Sequence, residues 1–493
     1  MGDGSRETVV VGSGASGLTI ALLMAKAGRT VRIVETRPEI GGYLNRFTRC
    51  GHRFDTGFHF TGGFEGVLGE MLAVLGIADV VRELPLRVDV ALPASGRRLT
   101  FPEGGVKEKA ALLRSLFPRS AAAVDAYYRT EREVCLRTPM FSLRQGEGAS
   151  GPSPYDAVTL AEYLTVAGAD DDELRTLLGL TAVCHGSPPC EVPLTHHCRA
   201  SYGLDERIRA VDGGGDAFLG GFRRELAVHR VTVMTGVEVV ALDFASDGSA
   251  CSGVRLSDGT AFPVDDVFFA VHPSAFLPLL PERLLTPSLR RRMSLRDETC
   301  AFFTVSALAE PGDPPPTARL FHYISANDLD AVLLPGAQAY GTGMMLTPPP
   351  AGETGPCRLS AFRTMHVAEV PAAPGTSAYA DFKAATAESV LADVAAAFPE
   401  LRGRLRVADV STPLTCRRYV PPSGSAYGLR RKVAQAHVAG RFAAANLHAL
   451  GHNALAPGVA GVMSGAFLEF ARTVGPDTYR EVVLKPLDGW CGR

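Results

Sequence analysis

Three features of this 493-residue chain predict an α/β fold in two parts. First, a β-branched apolar run at residues 8–11 leads into Gly12, Gly14 and Gly17, spaced G-x-G-x-x-G. A stretch of helical composition follows at 18–27, then a second apolar run at 30–34 that ends on Glu35. Second, another glycine-rich stretch, 446–465, lies near the far end of the chain. Third, two long segments between them, 66–204 and 276–429, mix helical and strand-like runs with proline loops, and 493 residues exceed one compact core. The expectation is a Rossmann-like nucleotide-binding domain assembled from 1–65, 205–275 and 430–493. The two intervening segments would form an inserted α+β substrate domain, a mixed sheet plus helices.

Each part of the opening unit has a mechanical role. Gly12 permits the tight turn, Gly14 lets backbone approach a pyrophosphate, and Gly17 lets helix and strand pack closely. The first helical turn, with Ala15 and Ser16, presents free N–H groups and a positive dipole end to phosphates. Gly28 sits where a helix C-cap is wanted. Glu35 lies about 20 residues on, where an acid binds ribose hydroxyls, and Thr36 and Arg37 follow it. Gly41 and Gly42, then Phe54-Asp55-Thr56-Gly57-Phe58-His59-Phe60, extend the unit.

In the first insertion, 66–75, 108–116 and 118–128 have helical periodicity. Lys107, Lys109, Arg114 and Arg119 lie among apolar residues there. A basic amphipathic helix of this kind rests on an anionic membrane surface or, more simply, forms the solvated face of a core helix. Met140 and Phe141 are candidates for an apolar entrance. Cys184, His185, Cys190, His196, His197 and Cys198 cluster tightly. Their spacings lack a C-x2-C knuckle, so buried thiols and capping histidines account for them without a metal.

Gly213-Gly214-Gly215 then precedes a helix at 217–226, and strands are expected at 231–234, 237–242 and 267–271. In the second insertion, 301–307 and 339–346 read as strands and 378–398 as a long helix. Ser425-Ala426-Tyr427-Gly428 reads as a turn. The closing stretch runs Asn446-Leu447-His448-Ala449-Leu450-Gly451-His452-Asn453, then Ala456-Pro457-Gly458-Val459-Ala460-Gly461. Pro457-Gly458 starts a helix over 459–472 whose small residues allow a ligand to come close.

The opening and closing motifs together resemble the phytoene desaturase, carotenoid isomerase and retinol saturase group within the amine oxidase-like flavoproteins. The spelling Asp55-Thr56-Gly57-Phe58-His59-Phe60, and Tyr427-Gly428 ahead of the last motif, are nearest the saturase and isomerase members. The resemblance implies FAD as cofactor. Gly41 and Gly42 would come close to the flavin end, Val239 would pass the adenine through backbone groups, and Gly451, Gly458, Val459 and Gly461 would hold the flavin from the closing helix. That helix would aim its N-terminus at the flavin pyrimidine, stabilising the negative charge of a reduced flavin. His272-Pro273 departs from the Asn or small residue usual in the family.

The implied activity is an FAD-dependent oxidoreductase acting on carbon–carbon double bonds of a long apolar polyene or isoprenoid-like molecule. Desaturation, saturation and cis–trans isomerisation all fit, and the electron partner is unassigned. His59 and Tyr427 are the catalytic candidates on the substrate side. Addition of hydrogen across a double bond moves a hydride and a proton, and histidine is a suitable proton donor near neutral pH. The alternative for each is a structural role: His59 hydrogen-bonded to backbone or flavin edge, Tyr427 in a turn.

Other classes are weighed against this. Gly341-Thr342-Gly343 lacks a third glycine and a following helix, and no C-x4-C pair lies near the N-terminus; both absences argue against pyridine-nucleotide disulfide reductases. A flavin amine oxidase, and a prenyl-binding escort protein of the same fold, stay open. The formal charge of −2, from 50 basic and 52 acidic residues, predicts no affinity for nucleic acid. The strand starting by residue 8 leaves no room for a signal peptide, no apolar run reaches a membrane span, and the ten cysteines are scattered. A cytoplasmic protein with peripheral membrane contact, where an apolar substrate resides, is the expectation.

Overall fold

The computed structural model of the chain describes residues 7–138, 142–144, 153–285, 287, 297–310, 317–336, 338–349, 354–419, 423–433, 442 and 444–490. Met140 and Phe141 lie outside these residues.

One sheet is built around Glu7–Val11. It has Val31–Glu35 and then Thr232–Thr235 on one side and Ala261–Phe269 on the other, all parallel. Val9 and Val10 are fully buried, as a run covered on both faces requires. Ala261–Phe269 is long enough to serve twice. Its early residues pair antiparallel with Cys251–Leu256, and its later ones run parallel to Glu7–Val11 and to Leu447–Ala449, with Phe268 opposite His448. Val239–Phe244 completes the antiparallel edge. The helix Ala15–Lys26 packs beside Gly458–Val474, burying Leu18 and Leu22 with Met463, Phe467 and Phe470 in one core. The last strand of the chain thus enters the sheet beside the turn made by its first residues.

The second sheet has the order Leu405–Ser411, Ala301–Ala309, Cys357–Met365, Gly341–Thr347, Arg319–Ile324, Arg87–Leu92, Arg97–Phe101. All neighbours are antiparallel except Arg319–Ile324 and Arg87–Leu92. Strand alternation divides its faces. Phe303, Val305, Phe321, Met344, Leu359 and Ala361 point to the helix Ser377–Ala397, where Val390 and Val394 meet them. Phe302, Thr304, His322, Gly343, Phe362 and Thr364 point the other way, into a cavity shared with the first sheet.

Several expectations shift. The helix expected at 118–128 is a 3-10 turn at Pro118–Ser120 followed by Ala121–Leu136, because proline starts a helix and cannot continue one. The strand expected at 237–242 begins at Val239, since Val237 instead donates its N–H to the Glu35 carbonyl at 3.2 Å. The first insertion, read as helical, contributes the two strands Arg87–Leu92 and Arg97–Phe101. The basic face there is broken. Lys109 is buried, ion-paired with Asp205 and seated 4.3 Å above the Phe101 ring, so it belongs neither to solvent nor to a membrane. Among the described residues no helix is long and apolar enough to cross a membrane.

Candidate functional site

The glycine turn and the two helix N-termini form one cradle. Gly12 has φ +94°, and its N–H donates to the Val34 carbonyl at 2.8 Å, which ties the turn to the neighbouring strand. A methyl group at Gly17 would lie 2.0 Å from the Gly12 carbonyl oxygen, so only glycine lets the helix leave the strand this closely. Gly14 caps the helix with no side-chain bond, leaving the first-turn N–H groups of Ala15 and Ser16 free of a capping partner, and a Cβ at Gly14 would meet nothing within 4 Å. Open space at a glycine, faced by uncapped N–H groups and an N-terminal dipole, is what a phosphate requires.

Ser13 joins the turn to its acid. Its N–H and hydroxyl donate to one Glu35 carboxylate oxygen at 2.9 and 2.6 Å, while the Arg37 N–H donates to the other at 2.9 Å. The carboxylate is held facing the cavity with lone pairs to spare for ribose hydroxyls; Thr36 and Arg37 line the same wall. The Ser13 hydroxyl oxygen also accepts from the Gly41 N–H at 3.2 Å. Gly42, with φ +54°, packs so that its own Cβ would sit 3.1 Å from the Gly14 Cα. On the far side, a Cβ at Gly451 would reach the Ser16 hydroxyl at 3.7 Å, and Gly458, Val459 and Gly461 start the uncapped helix Gly458–Val474. All of these line one cavity except Gly17 and Gly41, which the sequence also offered for the cofactor: Gly17 is packed against the Gly12 carbonyl and Gly41 against Leu219, so both shape the turn from behind. Val239 does not line it either: its side chain is buried in the core beside Leu256. The residues present therefore fit a flavin dinucleotide.

The cavity has a volume of about 1490 Å³ and continues from this cradle to the second sheet. An aromatic belt crosses it. The His59 ring stacks on Phe362, with centroids 4.6 Å apart and planes within 7°. Phe362 meets Phe302 edge-on at 5.6 Å, and Phe302 meets Tyr427 edge-on at 6.1 Å. Tyr427 lies 6.4 Å from His452, which stacks on Tyr43 at 6.0 Å. The structure thus brings His59 and Tyr427 to one wall with four rings that sequence reasoning did not single out. Only His452 carried a signal, its place beside Gly451. A Cβ at Gly343 would lie 2.2 Å from the Phe362 ring, so the glycine makes the seat on which that ring lies.

The polar groups of the belt differ in state. His59 Nδ1 faces Asp55 at 3.8 Å, beyond hydrogen-bond range, and is buried without a hydrogen-bond partner among the described residues. Burial works to raise the Asp55 pKa, but the His59 side chain and the Arg46 guanidinium, 2.7 Å away, outweigh it and keep Asp55 ionised below the usual range. Burial pushes the Tyr427 phenol well above its ordinary pKa, so it is a donor, not a base. Burial likewise lowers His322 and His452 to about 4, which keeps both neutral. His272 is also placed: Nδ1 caps Ser274, and Nε2 lies 3.3 Å from Glu298.

Of the histidine–cysteine cluster, only Cys184 lines this cavity. His185 and His197 share a hydrogen bond of 3.0 Å, His197 continues to the Tyr127 hydroxyl at 2.9 Å, and burial lowers His185 to about 3. No metal-ligating group of three or more side chains occurs among the described residues.

Residues 10–74 match the NAD(P)-binding Rossmann-like domain family. The human protein named all-trans-retinol 13,14-reductase is 25% identical over 98% of this chain and 87% of its own length. The chloroplastic prolycopene isomerase of Daucus carota is 22% identical over 86% of this chain and 71% of its own. The solved structure of putrescine oxidase bound to putrescine superposes with a TM-score of 0.62 at 14% identity, covering 95% of this chain and 99% of that one, a likeness of fold alone. Along most of its length the chain is thus similar to a retinol reductase and a carotenoid isomerase, on a fold shared with flavin amine oxidases.

Proposed function

We infer that this protein is an FAD-dependent oxidoreductase acting on a carbon–carbon double bond of a long, apolar polyene or isoprenoid-like substrate. The observation that carries this reading is the aromatic belt running from the dinucleotide cradle across a large cavity. Flat rings stack on a flat conjugated chain and hold it in register without hydrogen bonds, while excluding water. The names of the relatives, a retinol reductase and a prolycopene isomerase, describe molecules of this kind.

FAD supplies two-electron chemistry when bound. The chain's own residues supply the rest. His59 Nε2 gives or takes the proton at the carbon next to the one that exchanges hydride, with the ring held by its stack on Phe362 and the ionised Asp55 facing Nδ1. Tyr427 stays protonated and serves as a second donor at that wall. Val239 contributes backbone alone to the adenine end. The protein works in the cytoplasm and meets its substrate at a membrane surface.

Anaerobic mixing of the purified yellow protein with a panel of polyenes tests this, by following loss or return of the oxidised flavin spectrum. Reduction by a saturated member, reoxidation by a conjugated one, or isomerisation by the reduced protein fixes the direction. Turnover of small amines instead, with no response to any polyene, would replace this reading with the amine oxidase one, and protein purified without flavin would favour the escort.

A further inference from the structure

Five arginines line the cavity among the described residues, and four are committed. Arg37 donates to the Arg418 carbonyl and lies 5.3 Å over the Tyr419 ring. Arg46 pairs with Asp55 at 2.7 Å, Arg49 with Asp409 at 3.2 Å, and Arg207 with Glu65. Arg199 is the exception. It stands on the helix Leu194–Glu206 and, among the described residues, has no carboxylate, carbonyl or hydroxyl partner; its Nε is shut off from water.

Among the described residues no carboxylate lies within ion-pair distance of it. Burial and the neighbouring Asp205 hold Glu131 well above the ordinary carboxyl range, so it stays neutral and donates nothing to the balance. Asp205 is taken by Lys109. The other guanidinium close by, Arg431, donates to the His452 carbonyl at 3.1 Å and is lowered to about 10, first by burial and then by the charge of Arg199. Among the described residues, the wall at Arg199 therefore carries a guanidinium with no ion-pair partner.

A purely apolar substrate filling this cavity would strip water from Arg199 and put nothing in its place, a severe cost for a cation. A diphosphate would bring more negative charge than this wall matches. A carboxylate presents two oxygens to the planar fork of one guanidinium and balances it charge for charge.

We propose that Arg199 is the head-group site of the cavity and that the substrate is a polyene or isoprenoid chain ending in a carboxylate. This rests on the polyene reading above and narrows it.

The test is direct binding by equilibrium dialysis of a matched pair, all-trans-retinoic acid and its methyl ester, to the flavin-loaded protein and to Arg199→Gln and Arg199→Lys. The acid should bind wild type at least about tenfold tighter than the ester, as one charge-assisted pair provides. Arg199→Gln should bind both equally, with ester affinity within about twofold of wild type. Arg199→Lys should keep part of the preference, since it retains charge but loses the fork. Ester bound as well as acid by wild type, or a preference undiminished in Arg199→Gln, would overturn the head-group site and leave the polyene reading standing. Neither form bound by wild type would overturn both. If Arg199→Gln fails to fold, the wild-type comparison and Arg199→Lys decide alone.

Discussion

Replacing Gly14 with valine separates the cofactor site from the fold. Gly14 has φ −65° and ψ 176°, a conformation open to any L residue, and a Cβ there meets nothing within 4 Å. Weakening the helix cap should cost about 1 kcal/mol. The neighbouring glycines are different. At Gly12 a Cβ would lie 2.6 Å from the Val271 side chain and 2.9 Å from the Ala270 carbonyl oxygen, with φ +94°, and at Gly17 it would strike backbone at 2.0 Å. Substitutions at those two should damage folding itself. The valine at Gly14 instead projects into the space beside the uncapped N–H groups. Losing two charge-assisted hydrogen bonds to the pyrophosphate, at about 1.5–3 kcal/mol each, weakens the cofactor by ~10²–10⁴-fold. The assay is flavin released per mole of protein on denaturation, with the dissociation constant from reconstitution of the flavin-free form. Melting temperatures are compared between flavin-free proteins, because bound cofactor itself stabilises. A variant purified with a full complement of flavin and wild-type affinity would refute the placement of the phosphates.

His59→Phe should keep flavin and the stack on Phe362 but lose at least ~10²-fold in turnover; undiminished kcat at wild-type flavin content would remove the proton role. Phe362→Ala removes the ring that holds His59, so kcat should fall about tenfold or more with flavin content unchanged, whereas a loss confined to KM would assign Phe362 to substrate binding alone. His448 lies between Asp266 at 3.3 Å and Glu469 at 2.8 Å; burial disfavours its charge, but the two carboxylates win and raise it to about 9. Its folded pKa lies above its unfolded one, so this contribution is whole below about pH 6.5, on the order of 3 kcal/mol, and is lost as pH rises towards 9; His448→Gln should flatten that slope in urea titrations, and an unchanged slope would discount the triad. Liposome flotation should show reversible binding to anionic vesicles that weakens with salt, and no binding at any salt would point to a substrate delivered by a carrier.

The sequence by itself determined the nucleotide cradle. Such a turn offers a phosphate backbone groups, and backbone can approach only where glycine removes a clash. Gly12, Gly14 and Gly17 are therefore written plainly in the chain, and the apolar runs on either side are local signals too. Glu35 followed from its distance along the chain, but Ser13, whose hydroxyl links Glu35 to the Gly41 N–H, left no mark as an ordinary serine. The tertiary structure alone decided the substrate side. The belt joins Tyr43, His59, Phe302, Phe362, Tyr427 and His452, brought together by two sheets whose strands lie hundreds of residues apart. Period-two alternation says that Phe302 and Phe303 face opposite ways, but which one lines a cavity depends on where the helix Ser377–Ala397 lies down. The strand Arg87–Leu92 likewise exists because Arg319–Ile324 offers it an edge. Arg199 stands apart for a reason no local pattern carries: its lack of a partner among the described residues is a property of every group around it at once.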